Sequence, residues 1–235
     1  MPERQSPVSL ITAEHASNSV PERWRALFAG QEEILDTHLA RDPGSKDLAA
    51  KLAERLEAPL LTGKITRLLV DLNRSASHPR RLSTFSKSLP AEEREFLVQE
   101  YWQSHWNAYA QTIERLPGQV VHIACHSFSP ILDGKVRTTD IGLLYDPSRE
   151  QEKAWCLRLQ SALRQHLPEL KIHMNQPYRG VSNGLGQQHR RLFGDDKLIT
   201  FELEVNSALL DRSEWGEVER RIIMAIEEIS AAGDP

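Results

Sequence analysis

The feature that most constrains the fold of this chain is one short apolar run, residues 120–127. It is rich in β-branched side chains and lies between Gly118 and Pro130. Such a run between turn-forming residues predicts a buried β-strand. Side chains alternate faces along a strand, so His122 and His126 share one face and His126 stands near the carboxyl end. Open α/β sheets bind their ligands at that end. The run therefore predicts both a central strand and a polar site beside it.

A second histidine has the same setting, because residues 8–13 form another strand pattern that runs directly into Glu14 and His15. Two histidines at strand ends suggest a metal ion, and a catalytic zinc normally takes three protein ligands. Asp42 is the first candidate for the third ligand, because it stands at an abrupt Asp-Pro-Gly break after a predicted helix. Further candidates are His38, Glu14 and Asn18. The alternative for each histidine is a hydrogen-bonded residue of the core.

Composition and charge exclude several classes of protein. The 235 residues are 40% hydrophobic and 26% charged, which is typical of a soluble globular domain. A net charge of −4 and a pI near 6.2 do not favour nucleic acid or an anionic membrane as a partner. No apolar run approaches the ~20 residues of a membrane span, and the start of the chain lacks the apolar stretch of a signal peptide. With two cysteines in core-like patterns, the chain suits the reducing cytoplasm.

Strand and helix patterns alternate along the chain. The predicted strands are residues 8–13, 59–62, 66–72, 120–127, 140–145, 171–175 and 198–205. The predicted helices are a short one within 20–28, then 34–40, 46–57 with Ser45 as its cap, 91–116, 151–166, 184–191 and 214–230, with a long loop at 75–89. The aromatic residues of 91–116 are expected to pack against the sheet. This alternation predicts one domain, residues 1–235, of the α/β class, with a three-layer α/β/α architecture and a mixed, largely parallel central sheet.

The last predicted strand carries two carboxylates on one face, because Glu202 and Glu204 are two residues apart. A buried carboxylate is costly unless it is paired or bound to a metal. Carboxylates with a shifted pKa are also typical general bases. The pair therefore indicates either a catalytic base or a salt bridge to an arginine such as Arg67 or Arg74.

Asn73 and Arg74 follow the predicted strand 66–72 and suggest a carboxylate-binding site. The planar guanidinium matches a carboxylate with two hydrogen bonds, and asparagine adds a further donor. The alternative is an ordinary surface turn. Arg137 and Arg179 lie in loops after other predicted strands and are further candidates for binding anions.

Six short motifs, in the expected order, resemble the N-formylglutamate amidohydrolase family over about residues 8–210. They are Glu14-His15-Ala16-Ser17-Asn18 with Pro21, Asp42-Pro43-Gly44, residues 66–74 ending in Val70-Asp71-Leu72-Asn73-Arg74, Cys125-His126-Ser127-Phe128, Asn175-Gln176-Pro177-Tyr178, and Leu203-Glu204-Val205. The resemblance implies a zinc-dependent amidohydrolase with a phosphorylase/hydrolase-like fold related to that of zinc carboxypeptidases.

The resemblance also implies a general-base glutamate, for which two alignments compete. The family motif matches Glu204, whereas Thr200-Phe201-Glu202-Leu203 is similar to the base segment of carboxypeptidases. We prefer Glu204, because it lies nearer the carboxyl end of the strand. Carboxypeptidases also have a glutamate three residues after their first histidine, where this chain has Asn18, so the third metal ligand stays open.

The expected activity is hydrolysis of the amide bond of an N-formyl or other N-acyl amino acid, a small-molecule substrate, by a cytoplasmic monomer or small homo-oligomer. The expected site comprises the Zn²⁺ ligands His15, Asp42 and His126, the base Glu204 or Glu202, the carboxylate-binding Asn73 and Arg74, and Arg137 and Arg179 for a second carboxylate or the oxyanion. The alternatives are a metallocarboxypeptidase-like peptidase, another deacylase, or a metal-free protein that binds carboxylate ligands. Stoichiometric zinc would exclude the last of these.

Overall fold

A six-stranded sheet forms the centre of the molecule. Within residues 7–232, which the computed structural model describes, the strands are β1 (Val8–Ala13), β2 (Leu60–Thr62), β3 (Val120–Phe128), β4 (Ile131–Leu132), β5 (Lys135–Val136), β6 (Ile141–Leu144), β7 (Ile172–Met174) and β8 (Leu198–Asn206). The sheet order is β2-β1-β3-β8-β6-β7, and β4 and β5 form a separate hairpin. Within the six-stranded sheet, neighbouring strands pair in parallel except β6 and β8, which are antiparallel. The predicted mixed, largely parallel sheet is confirmed.

Helices cover both faces of this sheet. The α-helices are α1 (Ser45–Arg55), α2 (Thr84–Lys87), α3 (Ala91–Leu97), α4 (Ser104–Arg115), α5 (Glu150–His166), α6 (Leu185–His189) and α7 (Trp215–Ala231). Short 3-10 helices span Glu22–Phe28, Glu32–Asp36 and Ser207–Leu209, and a π-helix, Val98–Gln103, joins α3 to α4. Helices α1, α5 and α7 pack on one face and α4 with α6 on the other, as the three-layer prediction requires. No helix among the residues described has the length and apolar character of a membrane span.

The face of the sheet under α1, α5 and α7 is apolar. Ile123 of β3 and Leu203 of β8 are completely buried there, together with Leu52, Leu159 and Ile226 from the three helices. Burying one such side chain contributes about 1.5–3 kcal/mol, so this layer is the main source of apolar stabilisation. Because side chains alternate along a strand, the histidines of β3 and the glutamates of β8 project from the opposite face.

That opposite face contains a buried polar layer around His122. The Nε2 atom of His122 is 2.8 Å from Thr12 Oγ1, and its Nδ1 atom is 2.8 Å from the Tyr109 hydroxyl and 2.7 Å from Thr200 Oγ1. Burial lowers the pKa of His122 to about 3, so the ring is neutral in the folded protein near neutral pH. His122 is thus a hydrogen-bonded core residue, although it shares a face with His126.

The prediction of a strand at residues 66–72 is wrong. The segment forms turns and has a single antiparallel bridge, between Val70 and Leu82. Its apolar residues are buried in a separate cluster with Trp24 and Trp102 instead of in the sheet. A short apolar run shows that a segment is buried, but not which neighbour buries it, so its pattern alone does not define a strand.

Three predictions about helices need correction. The helix predicted at 34–40 is the 3-10 helix Glu32–Asp36, and the helix at 91–116 contains the π-helix described above. Ser45 does not cap α1: it is the first residue of the helix, and its hydroxyl donates to the Asp42 carbonyl at 2.8 Å. Gly44 takes the capping position with a φ of +75°, a conformation that glycine adopts without steric cost.

Replacing His122 with glutamine should flatten the acid dependence of stability. The folded-state pKa of about 3 lies below the ~6.5 of an unfolded chain, so the stability contributed by the neutral ring is complete above ~6.5 and is lost as the pH falls towards 3. A shift of this size is on the order of 5 kcal/mol. Urea unfolding from pH ~8 to ~3.5 measures the effect, with the exposed His38→Gln variant as control. Parallel curves for wild type and His122→Gln would refute it.

Candidate active site

Two histidines and an aspartate meet at the carboxyl edge of the parallel strands. His15 follows β1 by two residues, His126 lies near the end of β3, and Asp42 comes from the loop before α1. The Oδ2 atom of Asp42 is 3.3 Å from His15 Nδ1 and 2.8 Å from His126 Nδ1. All three side chains are buried, so three potential ligands converge on one point.

The donor set of this group suits a metal ion. Its three ligand atoms lie within 4.8 Å of one another, and no second group of this kind occurs in the part of the chain that the structure describes. Imidazole nitrogens and a carboxylate oxygen are the ligands of catalytic zinc sites, which leave a further position open. Two of the other candidate ligands lie elsewhere: His38 is exposed, and the Asn18 amide donates to the Leu35 carbonyl at 3.0 Å.

The loop that carries Asp42 is tied to both strand ends. The backbone N–H of Asp42 donates to the His15 carbonyl at 3.0 Å, and the Ser127 hydroxyl donates to the Pro43 carbonyl at 2.7 Å. The left-handed conformation of Gly44 then turns the chain into α1. The sharp break that the sequence contains at this point thus sets the position of the carboxylate.

Each histidine turns its other ring nitrogen towards a second carboxylate. The Nε2 atom of His15 is 2.7 Å from Asp71 Oδ1, and the Nε2 atom of His126 is 2.9 Å from Glu14 Oε2. Carboxylates in this outer position orient metal-binding histidines. In the sequence, Glu14 stands out only as an alternative ligand. Asp71 is marked only by its place in the motif that ends in Asn73 and Arg74.

Arg67 provides the compensating positive charge. Its Nη1 atom is 3.3 Å from Asp42 Oδ1, and its Nη2 atom is 3.1 Å from Asp71 Oδ2. Burial opposes ionisation of both aspartates, but the neighbouring His15 and this guanidinium hold both pKa values below their usual range. The suggestion that Arg67 pairs with one of the β8 glutamates is therefore wrong: it binds the two aspartates.

The two glutamates of β8 differ in environment. Glu202 is partly exposed, and its Oε1 atom accepts a hydrogen bond from the Asn73 amide at 3.0 Å. Glu204 lies opposite His126 in the strand register and is buried. Its Oε2 atom has no hydrogen-bond partner among the residues described, and burial raises its pKa to about 8. A buried, unpaired carboxylate with high proton affinity has the properties of a general base.

Arg74 is held beside this site by backbone carbonyls. Its Nη1 atom donates to the carbonyls of Asn73 at 2.8 Å and Asn183 at 2.9 Å, and its Nε atom is 3.9 Å from Asp71 Oδ2. Asn73 is buried, so this segment is not an ordinary surface turn. Because 24% of the Arg74 side chain remains exposed, a ligand in solution can reach it.

Two tryptophans of the helices that follow hold the segment of Asn73 and Arg74 in place. Trp102, in the π-helix, stacks on Trp106 of α4 with 4.5 Å between ring centroids. Their indole N–H groups donate to the carbonyls of Arg74 and Leu72, each at 2.8 Å. The expected packing of aromatic residues on the sheet holds for Tyr109 and Trp106. The indoles of Trp102 and Trp106 also position the segment that carries the substrate-binding candidates.

Arg137 and Arg179 differ in their contacts and in their exposure. The Arg137 guanidinium lies over two rings, 5.4 Å from the centroid of Phe128 and 4.8 Å from that of Tyr178. Phe128 ends β3, the strand of His126, so Arg137 is held near the site edge. Arg179 is exposed, and within the described residues it makes no ion pair with the His15–Asp42–His126 group.

Comparison with known proteins identifies the family. Residues 7–210 match the family model for N-formylglutamate amidohydrolase. The chain belongs to this family. The resemblance of the sequence motifs is confirmed, and membership of the N-formylglutamate amidohydrolase family makes the protein an amidohydrolase of the N-acyl amino acid type. A comparison with curated protein sequences finds no match.

Among solved structures similar to this N-formylglutamate amidohydrolase family member, one shares its fold. A gene product of Agrobacterium tumefaciens superposes with a TM-score of 0.77 and 24% identity, over 96% of this chain and 90% of that one. A bacteriophage poly-gamma-glutamate hydrolase gives 0.47 and 11%, over 97% and 86%. The succinylglutamate desuccinylase of Chromobacterium violaceum gives 0.44 and 14%, over 96% and 61%. The first similarity establishes the shared fold.

Proposed function

We propose that the protein is a single-domain, zinc-dependent cytoplasmic hydrolase of N-formyl or other N-acyl amino acids. The observation that carries this proposal is the convergence of His15 Nδ1, His126 Nδ1 and Asp42 Oδ2 near the buried, unpaired carboxylate of Glu204. Amide hydrolysis by a metal enzyme needs such a ligand group beside a general base. Family membership supports an N-acyl amino acid as the substrate.

His15, Asp42 and His126 are the residues proposed to hold zinc. Asp71 supports this role, because an Nε2–H of His15 that donates to Asp71 leaves Nδ1 free to bind the ion. The chemistry that zinc supplies in such sites is polarisation of the amide carbonyl and a fall in the pKa of water from ~15.7 towards ~7.

Glu204 is proposed to move the proton. It takes a proton from the attacking water and returns it to the nitrogen of the leaving amine. The missing partner at Oε2 supports this role, because that oxygen can accept a proton without first breaking a hydrogen bond. Glu202 instead holds the Asn73 amide, which supports a role in arranging the substrate pocket.

Arg74 and Asn73 are proposed to bind the carboxylate of the amino acid. The two carbonyl contacts of Arg74 hold its guanidinium in place, and a held guanidinium loses less conformational entropy when it binds a carboxylate. Arg137, supported by two aromatic rings, is proposed for a second carboxylate or the tetrahedral oxyanion. Arg179, which is exposed, is proposed for the same role.

The protein should bind about one zinc ion per chain, and His15→Ala and His126→Ala should each lose it while keeping the fold, because two remaining ligands hold zinc poorly. Metal analysis after dialysis measures the zinc content, and circular dichroism monitors the fold. The matched control is His38→Ala, which removes an exposed histidine and should retain zinc. A full zinc complement in both ligand variants would disprove the site.

Metal-loaded protein should hydrolyse N-acyl amino acids, and Arg74→Lys should lower kcat/KM by roughly 10–150-fold, the equivalent of ~1.5–3 kcal/mol for a charged hydrogen bond. Lysine keeps the charge but loses the planar fork. The control is the same substrate with its carboxylate blocked as an amide, on which wild type and variant should differ little. Equal losses on both substrates would remove Arg74 from carboxylate binding, and cleavage of peptides alone would favour a carboxypeptidase-like activity.

Replacing the two glutamates one at a time should have different effects on kcat. Glu204→Gln should keep zinc and substrate binding while kcat falls at least ~100-fold, because an amide cannot accept the water proton. Glu202→Gln should retain most of kcat and act mainly through Asn73. Steady-state kinetics with zinc content measured for each variant decides the matter. An inactive Glu202→Gln beside an active Glu204→Gln would assign the base to Glu202.

A further inference from the structure

Glu14 is a buried carboxylate that lies between two histidines. It is 1% exposed, and its Oε2 atom is 2.9 Å from His126 Nε2 while its Oε1 atom is 3.9 Å from His105 Nε2. Neither Glu14 oxygen has a hydrogen bond of good geometry with any residue that the structure describes. The same holds for the Nε2 atoms of His105 and His126. A buried carboxylate without partners is costly, and the ring nitrogens of the two histidines are the groups placed to stabilise it as N–H donors.

The surroundings of His126 repeat those of His15. Each ring directs Nδ1 to Asp42 and Nε2 to an outer carboxylate, which is Asp71 for His15 and Glu14 for His126. Each outer carboxylate also has a cationic or potentially cationic second neighbour: Arg67 beside Asp71, and a second histidine beside Glu14. This repetition indicates that Glu14 has a specific task at His126.

We infer that Glu14 is a positioning residue that holds His126 with a proton on Nε2 and a free lone pair on Nδ1, and that His105 anchors Glu14 in this position. This inference rests on the proposed metal site. A neutral imidazole protonated on Nδ1 cannot bind a metal through that atom, so the site needs a group that selects the other tautomer. A carboxylate facing Nε2 selects it and raises the basicity of Nδ1.

Glu14 does not serve as the third ligand of the same ion. The two nitrogens of an imidazole diverge, and Glu14 lies beside Nε2 whereas Asp42 lies beside Nδ1. Glu14 and Asp42 therefore stand on different sides of the His126 ring. Glu14, which the sequence left open as a metal ligand, therefore acts on the site through His126.

The side chain of His105 explains how Glu14 keeps its orientation. His105 lies in the first turn of α4, and its side chain is 8% exposed. Its Nε2 atom faces the carboxylate oxygen that His126 does not contact. A carboxylate that faces a histidine at each oxygen is held in one orientation, so His105 of α4 and Glu14 together fix the His126 imidazole of β3.

The test measures zinc affinity by competition with a chelator, which needs no substrate. Glu14→Gln should bind zinc roughly 10–100-fold more weakly than wild type, the usual cost of losing an outer carboxylate. Glu219→Gln is the matched control, because Glu219 is another buried glutamate and pairs with Lys51, outside the site. His105→Gln should show a smaller loss in the same direction. Wild-type affinity in a folded Glu14→Gln variant would overturn the inference.

A second measurement does not depend on any variant folding. Long-range proton–nitrogen NMR of the zinc-loaded wild type should place the His126 proton on Nε2 and show it protected from solvent exchange. A proton on Nδ1 would overturn the inference even if zinc binds. Wild-type protein that binds no zinc would overturn the proposed function as well, so the two failures are distinguishable.

Discussion

The parallel pairing of β1, β3 and β8 is the constraint on which the rest of the site depends. Strands that run in the same direction end at the same edge, which brings His15, His126 and Glu204 together from three distant parts of the chain. The alternation of side chains then sends apolar residues towards α1, α5 and α7 and polar residues to the other face. A register shift of one residue in β8 would turn Glu204 into the apolar layer.

Balance of buried charge is the second constraint. Asp42 and Asp71 share Arg67, and each also contacts a histidine, so most of the buried carboxylate oxygens have a partner. Glu204 departs furthest from this pattern: its Oε2 atom has neither a hydrogen bond nor an ion pair among the residues described, whereas the Glu14 oxygens at least face His126 and His105. Native structures leave few buried polar groups unpaired, and those that remain are often functional. The unpaired oxygen is therefore the strongest local argument for a proton-transfer role.

The third requirement is rigidity in the segments that are not part of the sheet. Asp42 and Arg74 both come from loops, which on their own would hold a side chain poorly. Backbone hydrogen bonds tie the first loop to His15, and the indoles of Trp102 and Trp106 tie the second to the helix above it. The π-helix that carries Trp102 is a local irregularity of the kind often found at functional sites.

The sequence by itself determined the class of fold, the central strands and the two histidines at strand ends, because apolar runs and alternation are local properties of the chain. The order of its motifs was enough to predict the family. Tertiary structure alone decided that residues 66–72 are not a strand, since their burial comes from Trp24 and Trp102 and not from neighbouring strands. It also decided which charges meet. Arg67 faces Asp42, and Glu14 faces His105 and His126, because segments far apart in the chain meet only in the folded protein and leave no regular spacing in the sequence.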